Sequence, residues 1–183
     1  MNIYKITLPN NKIYIGQTLQ DDVKLRTGND LGGYSANALF YIDIMIFGPE
    51  NTQVEFIERD IATQEKLDER EIYWINTLQS WNHKIGYNIS GGGKLHSRPV
   101  IDPYYKTTEY KELTLLYRNI YRKYRSALMK INNEMKPLLQ RAYASHRRGK
   151  TPQTSMEELL SIREGKRNEV RLKFIKEIQS LIK

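Results

Sequence analysis

Apolar and polar positions alternate in the manner of a strand over residues 2–8, stop at Pro9-Asn10-Asn11, and resume over residues 12–16. Period-two alternation on both sides of a turn-forming cluster predicts a β-hairpin. A three-residue loop at Pro9 to Asn11 sets Leu8 opposite Lys12 and Tyr4 opposite Gly16, which puts Tyr4 and Tyr14 on one face as diagonal neighbours. A two-residue loop sends them to opposite faces. Further on, Thr18 is a plausible N-cap for a short helix reaching about Arg26, ahead of the glycine-rich break at Gly28 to Gly33. A helix from Ser35 to near Gly48 is expected to bury Leu39, Ile42, Met45 and Ile46. Residues 52–58 alternate through Val54 and Phe56 as a strand.

The clearest helical period covers about residues 63–79, where Leu67, Trp74, Ile75 and Leu78 fall on one stripe. An extended piece, Gly86 to Ser90, runs into Gly91-Gly92-Gly93, a natural hinge. Beyond it, residues 107–135 and 155–182 read as basic helices around a punctuated stretch from Arg147 to Pro152. The fold class expected is α+β: a small antiparallel sheet flanked by helices, followed by a basic, mainly α-helical C-terminal extension. The division expected is residues 1–93 and 94–183.

Charge sharpens that division. The chain of 183 residues has a formal net charge of +8. Residues 1–93 hold 8 Lys/Arg against 12 Asp/Glu, whereas residues 94–183 hold 21 against 9. An acidic front half and a strongly basic rear half suggest chemistry in one and polyanion binding in the other. No apolar run is long enough to span a bilayer and no leader-like segment opens the chain, so an intracellular protein without membrane contact is expected. The absence of cysteine removes disulfides and thiolate zinc sites.

Glu71 is the most informative acid, because it lies on the stripe of Leu67 and Ile75 that should be buried. A carboxylate on an apolar face is costly unless a cation or hydrogen bonds meet it. In the rear half, Tyr117, Tyr121, Tyr124 and Leu128 form a packing stripe. Arg118, Arg122, Lys123 and Arg125 interleave with it as candidate phosphate contacts, joined by Arg147, Arg148 and Lys150. Lys12 and Lys24 are further candidates. The histidines His83, His96 and His146 lack ligand-like spacing, and no zinc-hydrolase or phosphate-loop pattern occurs.

The stretch Asn2-Ile3-Tyr4 followed by Tyr14-Ile15-Gly16 resembles the signature of the GIY-YIG nuclease family, with asparagine where the first glycine stands. Arg26 ten residues after Gly16, Glu71 within Glu69 to Ile75, and Asn88 after Tyr87 repeat the family's order and spacing. The resemblance covers about residues 1–93. It implies a magnesium-dependent DNA endonuclease with Tyr4, Tyr14, Arg26, Glu71 and Asn88 at its catalytic site. Glu71 would hold the divalent ion, Arg26 would neutralise the scissile phosphate, and Gly16 would be structural. By the same resemblance Tyr4 would be the general base or water-positioning group and Tyr14 a second phosphate contact, with an exchange of the two roles left open. It further implies double-stranded DNA as partner and the setting of a homing or mobile nuclease of phage, viral or bacterial origin. A restriction or repair nuclease, or a DNA-binding protein on an inactive nuclease scaffold, are the alternatives.

Overall fold

The computed structural model describes residues 1–23, 32–93, 102–149 and 154–182. Among these, three strands form one antiparallel sheet in the order β2-β1-β3, with β1 (Asn2–Thr7) between β2 (Ile13–Thr18) and β3 (Gln53–Glu58). Four α-helices accompany it: α1 (Ala38–Phe47), α2 (Gln64–Thr77), α3 (Thr108–Arg147) and α4 (Met156–Ile182). The class is α+β. No helix among the described residues is long and apolar enough to cross a membrane.

The β1–β2 hairpin has the three-residue loop. Leu8 and Lys12 close it through an N–H···O bond of 3.0 Å, and Asn11 takes the left-handed conformation (φ 62°) that such loops need. Tyr4 therefore pairs with Gly16 and Ile6 with Tyr14, so both phenols lie on one face. The opposite face carries Ile3 and Ile15, and α2 packs there through Leu67 and Ile75, with Trp74 and Leu78 at the margin. α1 covers the tyrosine face, with Phe40 stacked on Tyr14 at 4.8 Å between ring centroids. Helices on both faces bury most of β1 and much of β2, while β3 is exposed over Gln53, Val54 and Glu55.

Local expectations and structure part at four places. Thr18 ends β2 instead of capping a helix, and its hydroxyl accepts from the Gln20 N–H at 3.0 Å; a turn uses the same chemistry as a cap. α1 is capped by Asn37 and not by Ser35. It buries Phe40, Tyr41 and Ile44 along with Ile42 and Met45, while Leu39 and Ile46 are only half-buried. Its sequence is apolar almost all round, so periodicity could not single out a face. Finally, α3 continues through Pro137 to Arg147. Met135 and Ala142 on either side of that proline pack with Ile131 and Leu159, which compensates the lost backbone bond.

The chain forms two compact units, Met1–Thr114 and Leu115–Lys183. The boundary thus lies beyond the Gly91–Gly93 run, because residues 102–110 pack within the first unit. Asp102 accepts from the His83 backbone N–H and bonds its ring Nδ1, both at 2.8 Å. The His83 ring stacks on Tyr104 at 4.1 Å. Burial works against the Asp102 carboxylate, but N–H groups of His83 and Tyr104 and the His83 ring outweigh it and hold its pKa below the ordinary range. A depressed carboxylate stabilises the fold above its unfolded pKa and loses that contribution as pH falls through the folded one. Asp102→Asn should therefore cost on the order of 1.5–3 kcal/mol near neutrality, the scale of hydrogen bonds to a charged group. The gap to wild type should narrow below about pH 4, as read by urea unfolding across pH.

In the second unit, Tyr121 and Tyr124 of α3 pack on Phe174 of α4, with Tyr124 and Phe174 rings 4.5 Å apart, and Tyr117 is buried. The expected tyrosine stripe is core, although Tyr121 and Leu128 are only half-buried.

Candidate functional site and basic helical surface

A cleft of about 530 Å³ opens along the outer edge of β2. Tyr14 reaches it from one sheet face, Glu71 and Gln17 from the other, and Asn88 and the glycine run from the segment beside the strand. An edge strand allows this, since side chains from both its faces can border a single opening. Glu71 and Tyr14, assigned to one site on sequence grounds, do line one cleft.

Glu71 is buried, with 8% of its surface exposed. Its Oε2 accepts from the Gly93 backbone N–H at 2.6 Å and from Gln17 Nε2 at 3.1 Å. Two donors on one oxygen fix the carboxylate plane. The glycine run is therefore part of the site as well as a linker. Gly92 holds a positive φ of 82°, and a Cβ there would press on the Ile75 and Glu71 side chains. This long-range contact with Glu71 is invisible to spacing.

Tyr4 is placed differently. Its side chain is fully buried beneath the sheet's tyrosine face, and the Tyr34 hydroxyl donates to its hydroxyl at 2.7 Å. Tyr14 sits over it with ring centroids 6.5 Å apart, and Tyr34 lies 5.0 Å from Tyr14. Of the two phenols, Tyr14 lines the cleft. Tyr34, which sequence reading passed over, belongs to the same aromatic cluster. Gly16 leaves room for the Tyr4 ring, because a side chain at position 16 would collide with that ring and hydroxyl. Gly16 thus accommodates Tyr4 across the hairpin.

Asn88 also lines the cleft, but its amide serves the fold. Oδ1 accepts from Ile15 N–H at 2.9 Å and Nδ2 donates to Ile15 C=O at 2.8 Å. Asn2, where the signature has glycine, bonds Gln20 C=O and the Asp60 N–H, both at 3.3 Å, and so ties the end of β2 to the loop after β3. Lys12 lies over the Tyr87 ring at 5.6 Å and does not line the cleft. Arg26 and Lys24 fall outside the described residues, as do His96 and Lys150.

Comparison of the chain with protein-family models, with curated proteins and with solved structures finds no match in any of the three.

The donor set suits a hard divalent cation. Among the described residues no group of three or more His, Cys, Asp or Glu side chains converges. Magnesium needs fewer, since it retains several waters and takes one or two carboxylates with phosphate oxygens. Glu71, buried yet bordering an open cleft, meets that requirement.

On the second unit, the exposed Arg118, Arg122, Arg125 and Arg147 share one stripe of α3, at offsets of 4, 7 and 29 from the first. Lys123 does not join them. It lies around the helix and donates to Glu177 at 3.0 Å. Arg148 is exposed in the turn after α3. Lys136, on the arginine stripe, also borders a groove of about 680 Å³ between α3 and α4, together with Arg163, Arg167 and Asn132. Glu164 lies 3.3 Å from both of those arginines on α4.

Proposed function

We propose that this chain is a metal-dependent DNA endonuclease resembling the GIY-YIG family, with a cleaving first unit and a DNA-holding second unit. The observation that carries the reading is the meeting of Tyr14 and a buried, oriented Glu71 in one cleft. Ordinary core packing explains neither a carboxylate placed on the apolar face of α2 nor the two donors that aim it.

In this reading Glu71 holds a divalent cation, magnesium by the chemistry of its donors. Such an ion supplies charge neutralisation at a phosphoryl oxygen and acidifies water. Tyr14 faces the phosphodiester from the other wall and positions the attacking water or a non-bridging oxygen. Tyr4 and Tyr34 support Tyr14 from beneath. Arg26, by resemblance, brings a guanidinium to the phosphate. Asn88 keeps the β2 edge in register so that Tyr14 and Gln17 face the cleft together.

The arginine stripe of α3 supports duplex DNA as the substrate, because exposed cations at Arg118, Arg122 and Arg125 on one helix face suit neighbouring phosphates. A basic unit joined to a cleaving one suits the habit of a mobile-element nuclease.

Supercoiled plasmid should be nicked or linearised in magnesium and left intact with EDTA. Intact plasmid at all magnesium and manganese concentrations, with DNA binding present, would favour a binding protein on an inactive scaffold. Replacing Arg118, Arg122 and Arg125 together by alanine should weaken binding and flatten its log–log salt slope by up to about 3, near 0.9 per phosphate contact. An unchanged slope in fluorescence anisotropy would remove the stripe from the interface.

A further inference from the structure

The Glu71 carboxylate is held by a side chain with a supporting frame of its own. Gln17, on β2, donates through Nε2 to Glu71 Oε2 at 3.1 Å and to Asp68 Oδ1 at 2.9 Å. Its Oε1 accepts from Gln64 Nε2 at 2.9 Å, and Gln64 Nε2 also donates to Asp68 Oδ1 at 2.7 Å. Gln64, Asp68 and Glu71 stand at successive turns of one face of α2. Both ends of the Gln17 amide are thus engaged. Reversing it would turn Oε1 toward two carboxylates and Nε2 toward the donor of Gln64, which electrostatics forbids.

We propose that Gln17 is a positioning residue for Glu71, with Asp68 and Gln64 fixing the direction in which it donates. The inference rests on the reading of Glu71 as the cation-holding carboxylate. Three features favour an amide here. It donates without bringing a charge, so the field that draws a divalent cation survives. It springs from a strand packed under α2 by Ile15, so its root is rigid. It acts on the oxygen that Gly93 also meets, from a different chain segment, so the carboxylate is gripped from two sides. Partners of this kind orient a ligand, and their loss costs roughly 10–100-fold in metal affinity or activity.

Full-length protein serves for the test, with manganese as the probe. By calorimetry, Gln17→Leu should bind Mn²⁺ at least about tenfold more weakly than wild type. Plasmid nicking should need correspondingly more metal, with much of the rate restored at saturating metal. Gln64→Ala, which leaves β2 untouched, should lie between them, and its thermal unfolding should match wild type. Asp68→Asn should cost less than Glu71→Gln; equal loss would make Asp68 a ligand and overturn the assignment. A folded Gln17→Leu with Mn²⁺ affinity within about twofold of wild type would overturn it too.

A second readout needs no metal. The Gln17 side-chain amide protons should give two distinct, slowly exchanging NMR signals that move in Glu71→Gln, Asp68→Asn and Gln64→Ala. Averaged signals indifferent to all three would end the positioning role. If those signals behave as expected while wild type neither binds Mn²⁺ nor nicks DNA, the nuclease reading fails and the hydrogen-bonded frame stands.

Discussion

Glu71→Gln should abolish magnesium-dependent plasmid cleavage while leaving DNA affinity and its salt dependence unchanged. The substitution keeps shape and removes charge. The Gly93 N–H and Gln17 amide can still meet an oxygen at position 71, so α2 and the glycine run stay together. What disappears is the anionic ligand, and a loss of at least about a hundredfold is expected, the scale for removing one electrostatic stabiliser from a reacting site. Because the variant no longer has to bury a negative group, its melting temperature should hold or rise. Cleavage equal to wild type under matched magnesium would remove Glu71 from the chemistry. Loss of DNA binding along with cleavage would assign it to substrate docking instead.

Gly16→Ala should destabilise the first unit and slow cleavage through one added methyl group. Position 16 pairs with Tyr4 across the hairpin, and the Tyr4 ring lies against it with Tyr14 alongside. Neither ring has slack: Tyr4 is fully buried and bonded to Tyr34, and Tyr14 is stacked on Phe40. Overpacking of this kind costs about 1–3 kcal/mol. The displaced Tyr14 should also slow cleavage more than the loss of stability alone accounts for. Tyr4→Phe, which deletes the hydroxyl nearest the new Cβ, should recover part of the loss in the double variant. Strict additivity in thermal unfolding would mean that the two positions do not press on one another.

The parts of this molecule legible from the sequence are those fixed locally. Proline and two asparagines between alternating runs set a loop length, the loop length set the register, and the register brought Tyr4 and Tyr14 to one face. The period of α2 likewise put Glu71 on the buried stripe with Leu67 and Ile75. What escaped was everything that depends on distant partners. Nothing around Gly93 announces a hydrogen bond to a side chain on α2, and nothing around Gln17 announces Asp68 or Gln64. Tyr4 and Tyr14 look equivalent in the sequence, yet Tyr4 is fully buried on their shared face and bonded to Tyr34 while Tyr14 borders the cleft. Lys123 looks like its arginine neighbours until Glu177 on α4 comes beside it. Pro137 reads as an end of helix, because flanking contacts with Leu159 cannot be seen along one line of text.

The way Asn88 and its neighbours seal β2 has a consequence for solubility. An unpaired strand margin recruits further strands from other molecules. Here Ile13 exchanges bonds with Ile85 and Tyr87, and the Asn88 amide imitates one more residue of a neighbouring strand by satisfying both backbone groups of Ile15. A side chain thus finishes a ladder that the backbone leaves incomplete. Shortened to alanine, it would expose one donor and one acceptor side by side, a docking point for self-association at high concentration.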